Sequence, residues 1–208
     1  MNNINDFLIS DLSVSFLKFL ASDYNSQFEK KDYHIELKPA KLPDKFLKLY
    51  SIYAPDSLCN IYIEGKKMSD TLYRYTGITS NVRNINSQKY VLLFKCVPAV
   101  YSDEEIKEFG DYGCKHIKRN YLKETWVVID TETGKETDLE FDRFKSPYIY
   151  KNIVTCDNDL YFIPTGKLII SKGYGSVIQT EEHMIVSTKC DKKAVILNKL
   201  TGEISEIN

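Results

Sequence analysis

Asp130 and Glu132 stand two residues apart, directly after the apolar run Trp126-Val127-Val128-Ile129. Carboxylates placed closely at the end of a strand can hold a pair of divalent metal ions. Such a pair steadies the attacking and leaving oxygens when a phosphodiester is cleaved. These two acids are therefore the chain's clearest catalytic candidates. Other combinations are weaker. Cys114 and His116, with His183 and Cys190 elsewhere, show no spacing known for zinc ligation or for a nucleophilic pair. Lys172-Gly173-Tyr174-Gly175-Ser176 has the glycines of an anion cradle. A β-branched run follows it, however, where a nucleotide fingerprint would open a helix, so a turn or bulge is expected.

The stretch Asp130-Thr131-Glu132-Thr133-Gly134 resembles the first motif of the DEDD family of 3′-5′ exonucleases. That resemblance implies metal-dependent nuclease chemistry with Asp130 and Glu132 as ligands. The rest of the chain departs from the family, because His183 and Asp191 lack the spacing of its closing motif. A second stretch offers another explanation. Ala194-Val195-Ile196-Leu197-Asn198-Lys199-Leu200-Thr201-Gly202-Glu203 follows the same pattern but carries Asn198 and Leu200 where the acids stood. A turn that survives without its carboxylates reads as a hairpin, with glycine in the left-handed position and Asp or Asn bonding the backbone ahead of it.

These turns need strands to place them. Short alternating or β-branched runs occur at Asn60–Ile63, Thr71–Tyr75, Lys89–Cys96, Thr125–Asp130, Tyr148–Thr155, Leu160–Ile163, Lys167–Ile170, Ser176–Thr180, His183–Thr188 and Ala194–Leu197. Gly134, Gly166 and Gly202 are 32 and 36 residues apart, near the length of a blade-like or meander-like unit. The expected fold is thus mainly β (α+β): an antiparallel β-meander with hairpin repeats, N-terminal helices and one helical insertion. The pattern leaves propeller, barrel and sandwich open.

Leu8, Leu12, Phe16 and Leu20 predict a helix over Asn5–Tyr24, and Pro43-Asp44 predicts the start of a second. Ala54-Pro55 breaks that pattern, which divides the chain into a helical segment 1–55 and a β-rich domain 56–208, unless residues 1–208 form one domain. An insertion near 102–122 opens with Ser102 and Glu105 at capping-box spacing, so its acids are explained as a helix start.

Net charge is −1 with interleaved signs, so no global field gathers nucleic acid, and nucleic-acid binding is disfavoured. Lys115, Lys118, Arg119 and Lys123, among Tyr112 and Tyr121, are a local exception. The apolar runs are far shorter than a membrane span, and the five scattered cysteines suit a reducing compartment. A cytoplasmic location is expected, or a virion if the chain is a phage component. No cofactor and no metal are expected.

Fifteen tyrosines accompany a single tryptophan. Tyr73 with Tyr75, and Tyr148 with Tyr150, lie at strand spacing, so each pair shares a face that is either core or an aromatic stripe for a partner. The expected function is a non-catalytic structural or protein-interaction module. It would belong to a larger assembly such as a virion, or act as an inhibitor or immunity-type binder, with a protein partner or a homo-oligomer. The alternative is the metal-dependent nuclease using Asp130 and Glu132.

Overall fold

Alternation of apolar and polar side chains drives most of this chain into strands, because each strand then buries one face against a neighbour. The computed structural model describes residues 35–50, 58–74, 89–111, 119–171, 174–180, 182–188 and 194–207. Strand β1 (Ile35–Pro39) is followed by helix α1 (Asp44–Tyr50), β2 (Leu58–Ile63), β3 (Lys66–Lys67), β4 (Leu72–Arg74) and β5 (Tyr90–Val100). Helix α2 (Asp103–Asp111) then separates β5 from β6 (Asn120–Asp130) and β7 (Glu136–Asp142). Next come β8 (Tyr148–Tyr150), β9 (Ile153–Cys156), β10 (Asp159–Phe162) and β11 (Lys167–Ile170), with a 3-10 turn at Ile163–Thr165. The chain closes with β12 (Tyr174–Gln179), β13 (His183–Thr188), β14 (Ala194–Asn198) and β15 (Ile204–Glu206).

The fold is mainly β, and the strand pairings of the described residues are antiparallel. The first sheet runs β1-β2-β4-β5-β6-β7, with β3 on β2; the second and third are β8 to β11 and β12 to β15, each in chain order. One face of the first sheet carries Leu92, Phe94, Trp126 and Val128, which pack with Val154 and Ile163 of the second sheet's segment. A third cluster joins Ile153, Leu160 and Ile170 to Met184, Val186 and Leu197. Val127, Val128 and Ile129 are fully buried, and each such side chain stabilises the sheet by about 1.5–3 kcal/mol.

Several expectations change in detail. The helix expected over Asn5–Tyr24 lies outside the described residues. The run Tyr148–Thr155 is two strands, not one, because Lys151 takes φ 56° and turns the chain between β8 and β9. In the insertion near 102–122, Asp103–Asp111 is helix and from Asn120 the chain is already strand, with 112–118 outside the described residues. Ser102 and Glu105 bond reciprocally at its start, Ser102 N–H to Glu105 Oε2 at 2.7 Å and Glu105 N–H to Ser102 Oγ at 3.2 Å. Of the glycine-rich stretch, Lys172 and Gly173 lie outside the described residues, and residues 174–176 open β12, whose register shifts between Tyr174 and Val177. Across the boundary expected at residue 55, β1 pairs with β2 from Ile35↔Ile63 to Pro39↔Cys59.

Candidate functional site

The turn after β6 shows what Asp130 does. Its Oδ1 accepts the N–H groups of Glu132 at 2.8 Å and Thr133 at 3.1 Å, while Gly134, at φ 66°, donates to the Asp130 carbonyl. After β14, Asn198 Oδ1 accepts Leu200 N–H at 2.8 Å and Thr201 N–H at 3.0 Å, and Gly202, at φ 75°, donates to the Asn198 carbonyl. The two turns share one hydrogen-bond pattern, and an amide serves it as well as a carboxylate.

The turn after β10 differs for a chemical reason. Phe162 stands at the Asp/Asn position, but two residues on is Pro164, which has no N–H to be capped. Three further bonds tie these turns to the strand before each hairpin. The residue just after β6, β10 or β14 donates to the carbonyl just before β5, β9 or β13: Thr131 to Lys89, Ile163 to Asn152, and Lys199 to Glu182, at 2.8, 2.8 and 2.6 Å. All three donors are buried. Among the described residues no three His, Cys, Asp or Glu side chains gather where they could hold a metal ion.

Of the two alternatives for its pair, Tyr73 takes the core one, since only 3% of it is exposed. Its Oη donates to Glu136 Oε1 at 2.8 Å, and Lys95 Nζ meets Glu136 Oε2 at 2.7 Å and Glu140 Oε1 at 3.5 Å. Burial first, and then Glu136, push the Tyr73 phenol far above its ordinary range. Tyr75 lies outside the described residues, as do Cys114, His116, Lys115, Lys118, Cys190 and Asp191. Tyr150 is half-buried against the Ile153 cluster, whereas Tyr148 is 58% exposed. Burial raises the Cys59 thiol to about 11 and, with Glu124, the Cys96 thiol to about 12, which keeps both protonated and poor nucleophiles.

Two of the most exposed apolar side chains, Val100 and Phe144, lie at the end of β5 and just past the end of β7. Strands β5 and β6 pair from Tyr90↔Asp130 to Val100↔Asn120, but β4 pairs with β5 only as far as Cys96, and β7 with β6 only as far as Thr125. Past the Cys96↔Glu124 pair the hairpin is therefore a two-stranded ribbon with no flanking strand among the described residues. Strand alternation puts Pro98, Val100 and Leu122 on one face and Val97, Ala99, Tyr121 and Lys123 on the other. Val97 is 44% exposed and Val100 60%. At the tip, Tyr101 stacks on Tyr121 with ring centroids 3.9 Å apart, and α2 follows.

The ribbon's base is charged. Glu124 lies between Arg74, whose Nε is 2.6 Å away, and Arg143, whose Nη1 is 3.6 Å away. Arg74 Nε nonetheless has no aligned hydrogen bond, so the pair is a charge contact and not a directed bond. Arg74 covers the Phe94 ring, which stacks on Trp126 at 3.7 Å, and Trp126 Nε1 donates to the Lys145 carbonyl. Between Trp126's partner and β7, Asp142 Oδ1 accepts Phe144 N–H at 2.8 Å, and the Phe144 ring stands 83% exposed with the Arg143 guanidinium 5.0 Å from its centre.

Sequence reading missed this region. The expected strand stops at Cys96, short of the Pro98 that a central strand would not carry, and nothing in Asp142-Arg143-Phe144-Lys145 marks its phenylalanine as outward-facing. Comparison with protein-family models, curated proteins and solved structures finds no match, so the chain's own residues carry the functional reading.

Proposed function

We propose that this chain is a non-catalytic protein-interaction module whose contact surface is the free end of the β5–β6 ribbon together with Phe144. The observation that carries this reading is the exposure of Val100 at the free end of the hairpin and of Phe144 beside Arg143 at its base. Exposed apolar side chains gathered beside arginine are the usual chemistry of a protein contact, with a buried anchor and a polar rim. The β4–β7, β8–β11 and β12–β15 runs are, in this reading, copies of one meander that serve as scaffold, and their Thr-Gly turns set register. Residues 1–55 belong to a separate segment only if they fold apart from that scaffold.

Membership of a larger assembly such as a virion, or an inhibitor or immunity-type role in a cytoplasm, fits a module of this kind. No helix among the described residues is long and apolar enough to cross a membrane. The test is capture from the native extract by the wild-type chain and by a Val100→Lys/Phe144→Ser variant. The reading expects a protein held by the wild type and lost by the variant. Equal capture by both, or a strictly monomeric wild type that captures nothing, would overturn it.

A further inference from the structure

We infer that the partner at the ribbon is a second copy of this chain, with the acidic helix α2 of each copy seated on the Arg143–Phe144 base of the other. The inference rests on the interaction reading above and names its occupant.

Charge complementarity carries it. Glu104 and Glu108 are exposed in α2 beside Lys107, while Glu105 caps the helix start and Asp103 is held by Arg119. Glu104 and Glu108 are four apart, so they share one side of the helix. At the base of the ribbon one carboxylate, Glu124, serves two guanidiniums, and Arg143 holds it at only 3.6 Å. A guanidinium has five N–H donors, and one shared carboxylate cannot satisfy two of them. Arg143 is half-exposed beside Phe144, so it can take a further carboxylate.

The geometry suits a two-fold arrangement. A two-fold axis pairs a surface with itself, so ribbons laid antiparallel bring each tip beside the other's base. From Val97 to Val100 the free strand advances three steps, about 10 Å at strand rise. That is short enough for the helix just past one tip to reach the partner's base. Between the two, Pro98 and Val100 of each copy would meet face to face, removing the exposed Val100 from water, beside Leu122, which packs against its own chain's core. Pro98 lacks an N–H, which blunts strand addition along β5 and favours contact by the ribbon's face over contact by its edge.

Sedimentation of the full chain over a range of concentration and salt tests this, with two charge variants. Wild type should be dimeric and should dissociate as salt rises. Glu104→Lys/Glu108→Lys should be monomeric, because cations would then meet Arg143, and Arg143→Glu should be monomeric for the opposite reason. An equimolar mixture of the two should return to a dimer of one copy each, since both contacts are again of opposite sign. Val100→Lys, at an exposed site, supplies a second break that leaves the ion pairs intact. Thermal unfolding near that of wild type shows that each variant is folded.

A wild type monomeric at every concentration would overturn the inference, as would a dimer that persists in either charge variant. Two monomeric variants that stay apart on mixing would do the same. A monomer that still captures a different protein through Val100 and Phe144 would overturn the self-association and leave the interaction reading standing.

Discussion

The β5–β6 hairpin has two ends made of the same two strands and put to different use. In the half from Tyr90↔Asp130 to Cys96↔Glu124, β7 lies along β6 and β4 along Phe94–Cys96; Leu93, Val127, Val128 and Ile129 are interior, and the polar groups are occupied. Asp130 caps its own turn, and Tyr73, Lys95 and Glu136 bond one another. In the half from Val97↔Lys123 to Val100↔Asn120 the same alternation continues, but the flanking strands have ended and Val97 and Val100 face solvent. Side-chain type therefore does not separate scaffold from surface here. The lengths of β4 and β7 do.

Substitutions should divide along that line, with stability lost in the embedded half and association lost in the free half. Trp126→Ala has the largest expected effect on folding, about 3–5 kcal/mol in denaturant unfolding, because it removes a buried ring stacked on Phe94. Gly134→Ala comes next. A Cβ there meets a φ of 66° and lies 2.9 Å from Ile63 Cδ1, the movable end of a side chain, so about 1–3 kcal/mol is expected. Asp130→Ala loses two side-chain bonds at a solvated turn and should cost about 1 kcal/mol.

Tyr73→Phe probes the embedded half through pH. The folded-state phenol lies above its ordinary value near 10, so the native state holds its proton after the unfolded chain has released it. Stability from this group is fully present below pH 10 and falls as pH rises beyond it. The substitution should flatten that alkaline fall, read by unfolding curves from pH 8 upward.

Asp130→Asn should be the smallest change, within about 0.5 kcal/mol, because Asn198 performs the same capping. The same variant separates the two functional readings. A purified chain that degrades DNA or RNA with Mg²⁺ or Mn²⁺, and loses this with Asp130→Asn, would establish the nuclease and displace the interaction module.

Much of the scaffold was legible because its signals are local. Lys167–Ile170 and His183–Thr188 are read with their observed bounds, and the Asn198 copy pointed to the turn bonds that Asp130 makes. β7 was missed, since Glu136-Thr137-Asp138-Leu139-Glu140-Phe141-Asp142 is acidic enough to resemble a loop, although Leu139 and Phe141 alternate into the core. Tyr148–Thr155 was read as one strand because Lys151 turns the chain without the glycine that usually marks a positive φ. The ribbon could not be read at all. Whether Val100 is buried depends on where β4 and β7 stop, and that is a matter of tertiary pairing.

Hydrogen exchange of the backbone amides tests the division most directly, comparing dilute protein with protein at high concentration or in its captured complex. Protection should rise over Val97–Val100 and Asn120–Lys123 on association, while Tyr90–Cys96 and Trp126–Asp130 stay as protected as before. Unchanged exchange in the free half, with new protection appearing elsewhere, would contradict the account.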